Sequence, residues 1–146
     1  MNRIFQFNSQ RVIEIIAETD EKISLAMIYR CKGLKSRLNA TPVGECLQFA
    51  AIPFNKNSKI RAHKHNRQKR FTNTTQEIWI LIKGRATVEI FNTDGTSHGE
   101  YALRKGDVLH LFDGGHSFVS RGKRTLIYEI KNGPYFGPEN DRTYLT

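Results

Sequence analysis

Between Glu77 and Ile130 the sequence alternates short apolar bursts with turn signals, and this rhythm constrains the fold more than any other feature. The bursts are 77–82, 87–91, 99–103, 108–112, 117–120 and 125–130. Between them lie Asn92-Thr93-Asp94-Gly95, Gly106-Asp107, Asp113-Gly114-Gly115 and Arg121-Gly122-Lys123. Each burst is too short for a self-standing helix and is rich in β-branched and aromatic residues, so each reads as a strand. Asn-Thr-Asp-Gly between two such runs is a hairpin signal. Upstream, Val12 to Ala17 reads as a strand, while Ile23 to Tyr29 fits a strand or a short helix. Residues 31–45 read as a loop, 47–53 and 59–65 as strands, and 66–76 as a long polar loop. Many short strands without a long helix predict an all-β sandwich or barrel.

A chain of 146 residues is long enough for one domain with a real core. The expected parts are a barrel over 47–131, an N-terminal extension over 1–46 packing on it, and an irregular tail over 132–146. No apolar run is long enough to span a bilayer, and Met-Asn-Arg-Ile-Phe-Gln-Phe lacks the form of a signal peptide, so a cytoplasmic location is expected. Cys31 and Cys46 fit no metal spacing and no disulfide framework, and read as reduced thiols.

The formal charge is +9. It is dense at Lys59, Arg61, Lys64, Arg67, Lys69 and Arg70. Lysine often guards an exposed sheet edge, and that is the plain explanation for such a run. The alternative is a basic rim that draws an anionic ligand to a nearby site. No nucleic-acid motif accompanies the charge, so nucleic acid is not the expected partner.

His63 and His65 stand one residue apart, and on a strand both imidazoles would face one side. Glu77 opens the next apolar strand, and His116 follows Gly114-Gly115. Three imidazoles and a carboxylate converging inside a sheet would hold a divalent transition metal, with Fe, Mn, Ni and Zn all compatible. Trp79 shares parity with Glu77 and reads first as core packing, with a wall for a flat or sugar-like ligand as the alternative; Phe118 shares parity with His116 and would line the same cavity. His98 reads as a surface residue and His110 as a structural one. Glu129 interrupts an apolar strand. It could orient a histidine, act as a catalytic base, or face solvent from an edge.

These residues resemble the two motifs of the cupin superfamily. His63-x-His65, Glu77 and Gly84 correspond to the first motif, and Gly106-Asp107, Gly114 and His116 to the second. The interval from His65 to Glu77 is longer than the family's, which implies an inserted loop beside the site. The stretches Thr-Gln-Glu-Ile-Trp, Gly-Gly-His-Ser-Phe and Tyr-Glu-Ile-Lys-Asn-Gly-Pro-Tyr-Phe-Gly are similar to small single-domain bacterial cupins encoded among surface-polysaccharide and sugar-nucleotide genes.

The resemblance implies a double-stranded β-helix, or jelly-roll barrel. It implies metal ligation by His63, His65, Glu77 and His116, and a homodimer in which an N-terminal strand, 12–16, joins a neighbour's sheet. The expected function is a metal-binding cupin acting on a small polar or anionic substrate such as a sugar or nucleotide sugar. Isomerase, epimerase and oxygenase chemistry all fit that frame. A non-enzymatic module that binds a metal or small ligand is the alternative.

Overall fold

In a computed structural model, residues 3–7, 10–17 and 23–145 are described, with side chains at 12–17 and 23–145. The strands are β1 (Arg3–Phe7), β2 (Gln10–Ile16), β3 (Ser24–Arg30), β4 (Leu38–Asn39), β5 (Ala50–Ala51), β6 (Glu77–Lys83), β7 (Arg85–Phe91), β8 (Ser97–Arg104), β9 (Asp107–Leu111), β10 (Gly115–Ser120) and β11 (Leu126–Lys131). One four-residue helix, α1 (Pro138–Asp141), interrupts the tail. No helix among the described residues is long and apolar enough to cross a membrane.

A six-stranded sheet has the order β1-β2-β3-β9-β6-β11, and a three-stranded sheet the order β10-β7-β8. Strands β4 and β5 form a small hairpin of their own. Every pairing is antiparallel. The all-β expectation therefore holds, but the two larger sheets share no ladder and no closed barrel forms among the described residues.

Two apolar clusters explain the sequence pattern. Ile15, Leu25, Ile28, Trp79, Leu81, Val88, Ile90, Leu103 and Leu109 fill the space between the sheets. Val12, Met27, Tyr29, Ile78, Val108 and Phe112 form a second cluster on the opposite face of the six-stranded sheet. Ala40, Leu47 and Phe49, from the 31–51 segment, cover it. Strand β3 is apolar at both parities because both its faces are buried, and all five residues of β9 are buried for the same reason. That double burial erased the alternation that would have separated strand from helix over 23–29.

Three expectations are corrected here. Residues 59–65, read as a strand, have no ladder partner among the described residues and are exposed throughout. Of 47–53 only Ala50 and Ala51 are paired. Residues 12–16, read as a strand that reaches a neighbour, belong to β2, whose two edges are both occupied within the chain by β1 and β3. Segment 1–46 thus contributes strands to the main sheet itself. At the other end, β11 is an edge strand whose outward side chains Leu126, Tyr128 and Ile130 are about half exposed (47%, 55% and 48%), so the outer cover stops short of this strand.

Candidate functional site

The site is built from two strand ends that face each other across the sandwich. Strand β6 is held on both sides, with Glu77 opposite Leu111 of β9 and opposite Lys131 of β11. Its entry is fixed by Gln76, whose backbone N–H donates to Asn132 Oδ1 at 2.7 Å and whose side-chain oxygen accepts the Leu47 N–H at 3.1 Å. Glu77, Trp79 and Leu81 then project into the interior by strand alternation.

His116 comes from the other sheet, opposite Ile90 of β7. The turn before it needs glycine: Gly114 has φ of 73°, and a Cβ there would collide with the Phe91 carbonyl oxygen. Asp113 Oδ1 accepts the Gly114 N–H at 2.7 Å and sets the turn.

Glu77 and His116 meet. His116 Nε2 lies 3.4 Å from Glu77 Oε2, and the Trp79 indole N–H donates to the same oxygen at 3.0 Å. Trp79 stands edge-on to the His116 ring at 5.0 Å and to Phe118 at 5.6 Å. The hydrogen bond from His116 is the main reason the Glu77 carboxyl stays below its usual range. Burial opposes this, while the Trp79 N–H and the Lys131 charge add to it. Glu77 is therefore an ionised carboxylate that fixes the ring beside it. Wherever Nε2–H is turned to Glu77 in the neutral ring, Nδ1 is the nitrogen that carries the lone pair.

These residues lie in a cavity of about 760 Å³ whose rim includes Glu129, Lys131 and the tail residues Arg142 and Leu145. Glu129 sits opposite Trp79 in register, so it faces inward at the rim. Its carboxylate is half exposed and 3.9 Å from Lys131 Nζ, and it orients no histidine. Lys131 also lies 4.4 Å over the Tyr135 ring. Neither the His63-x-His65 pair nor the basic run 59–70 contributes to the cavity lining. The cations there are Lys131 and Arg142, which the sequence reading had not singled out. Parity with Glu129 on β11 was the available signal for Lys131; Arg142 had none.

His63 and His65 pair with each other instead. Their rings meet edge to face at 5.2 Å, and His63 Nδ1 is 2.9 Å from the Arg61 carbonyl oxygen. Among the described residues no three His, Cys, Asp or Glu side chains gather as a metal group. As they are arranged, a carboxylate–imidazole contact in the cavity and an imidazole pair outside it do not fit a metal ion.

The other two histidines are structural. His98, expected at the surface, is half-buried and ties β8 to β2: Nε2 donates to the Ile16 carbonyl at 3.0 Å and Nδ1 accepts the Tyr101 hydroxyl at 2.9 Å. His110 is fully buried in the outer cluster, with Nδ1 3.4 Å from Thr41 Oγ1 and, among the described residues, no partner for Nε2. Burial pushes its pKa down to about 4.

Compared with protein-family models, with curated proteins and with solved structures, the chain gives no match.

Proposed function

We propose that this chain is a cupin-type domain whose cavity binds a small polar ligand, such as a sugar or nucleotide sugar, and moves a proton on it. The observation that carries this reading is the Glu77–His116 contact inside a cavity walled by Trp79 and Phe118. An imidazole beside an ionised carboxylate serves as a general base through its neutral form, because the carboxylate stabilises the imidazolium that forms. His116 Nδ1 would take a proton from a carbon next to a ligand carbonyl and return it to a neighbouring atom, which isomerises the ligand; a proton delivered from water to the opposite face of the same carbon would epimerise it instead. Trp79 and Phe118 supply apolar surface for a sugar ring. Lys131, opposite Glu77 in register, is the group suited to a phosphate or carboxylate on the ligand.

The test is deuterium incorporation, followed by NMR, into a panel of keto sugars and nucleotide sugars in D2O. Exchange by the parent that falls about a hundredfold or more in His116→Asn, with ligand affinity kept, supports the reading. Binding without exchange leaves the non-enzymatic module. Neither binding nor exchange across the panel overturns it.

A second reading, metal binding through His63, His65, Glu77 and His116, is favoured by one observation: the two imidazoles already adjoin on a segment free of ladder bonds, while the other two candidates already adjoin in the cavity. It requires segment 59–65 to cross to the cavity. Elemental analysis of protein purified without chelator tests it. Stoichiometric Fe, Mn, Ni or Zn that His63→Ala with His116→Ala removes would support it, and metal retained by that variant would end it.

A further inference from the structure

The run from Lys59 to Arg70 is the strongest electrostatic feature of the molecule, and the cavity does not use it. Six cations lie there: Lys59, Arg61, Lys64, Arg67, Lys69 and Arg70. No Asp or Glu occurs anywhere between Ile52 and Gln76. The sequence explanation was a guarded strand edge, but the segment is on no sheet, so there is no edge for these lysines to protect. Every residue from 52 to 73 is exposed. Among the described residues none of the six cations makes an ion pair. Their like charges repel one another, which costs folding energy with no compensating ion pair among the described residues.

The aromatic content narrows the partner. Phe71 is 92% exposed at the C-terminal end of the run, and Phe54 is 56% exposed ahead of it. A lipid surface selects a continuous apolar face opposite a polar one. Here Phe54, Ile60 and Phe71 are scattered along a segment that has no helix or strand to gather them on one face. A purely anionic polymer would use the cations and leave the rings in water. Single-stranded nucleic acid uses both, because phosphates follow a cationic track while bases stack on aromatic rings and guanidinium planes. Twelve residues reach at most about 40 Å when extended, roughly one cation per 7 Å, a density suited to successive phosphates.

We infer that the exposed segment 54–71 is a binding arm for single-stranded nucleic acid, with its cations on the phosphates and Phe71 stacked on a base. This surface is separate from the cavity, and its affinity does not depend on Glu77 or His116.

The experiment is fluorescence anisotropy of the full chain with a labelled oligothymidylate of about twelve nucleotides, a length within the usual footprint of such tracks. The oligonucleotide is titrated over a salt series beside inorganic polyphosphate and phosphatidylserine vesicles. Binding with a log–log salt slope near −4 is expected, since about 0.7 counterions are released per single-strand phosphate contact. Arg67→Ser with Lys69→Ser and Arg70→Ser should reduce that slope by about 2. Phe71→Ala should weaken oligonucleotide binding about fivefold or more and leave polyphosphate binding unchanged. Glu77→Gln should change neither. An unchanged circular dichroism spectrum confirms that the arm variants fold. No oligonucleotide binding at low salt, a Phe71→Ala variant that behaves as the parent, polyphosphate bound as tightly as the oligonucleotide, or a preference for the vesicles would each overturn the assignment.

Discussion

The Glu77–His116 pair and the His63–His65 pair have similar chemistry and opposite surroundings. Glu77 sits on a strand hydrogen-bonded on both sides, its carboxylate accepting the Trp79 indole N–H and lying 3.4 Å from His116 Nε2. His116 is fixed by a glycine turn and a ladder to β7. His63 and His65 lie on backbone with no ladder, where the polar contact at either ring is the 2.9 Å approach of His63 Nδ1 to a carbonyl two residues away. The lesson is that a constellation needs scaffolding at every member. Residue type and spacing nominate ligands, but long-range backbone pairing decides which of them share a point in space.

Hydrogen exchange offers the widest contrast. Amides of β6 and β9 open only with the whole domain, so their protection should exceed that of residues 59–70 roughly a thousandfold or more. Comparable protection in the two regions would mean that the arm is paired in solution. Next in size is Trp79→Ala. This 6%-exposed ring packs the inter-sheet core and donates to Glu77, so its loss should cost about 3–5 kcal/mol in denaturant melts.

Acid separates the histidines further. The His110 pKa is depressed to about 4 in the fold from about 6.5 unfolded, so neutral His110 favours the native state above pH 6.5. As the pH falls from 6.5 to 4 the unfolded chain takes up the proton first, and about 3 kcal/mol of stability should be lost. His110→Leu should flatten that window, whereas His63→Ala should not. Glu77, whose pKa is lowered, contributes in a lower range: its stabilisation is present above the usual glutamate value and is lost as the pH falls through the folded one.

A double-mutant cycle between Glu77→Gln and His116→Asn should return a coupling of about 1 kcal/mol, small because the imidazole is partly open to water. The same cycle between His63 and His65, both exposed, should return none. The smallest effect belongs to His63→Ala alone, which should leave the unfolding free energy unchanged to within about 0.5 kcal/mol. A larger shift would show that the arm packs on the domain.

The sequence by itself determined the strand content from Glu77 to Ile130, the turns between the strands, and the inward parity of Glu77 and Trp79. Those are local matters, set by turn chemistry and by a side-chain period of two. The tertiary structure decided what lies far apart in the chain. It covered β3 on both faces, which removed the alternation over 23–29, and it occupied both edges of β2. It paired Glu77 with His116 across the sandwich, set Lys131 and Arg142 in the cavity lining, and left Lys59–His65 without a ladder although the segment reads as a strand. Alternation says which side of a strand would be buried, but a strand forms only where a neighbour supplies the other half of its hydrogen bonds.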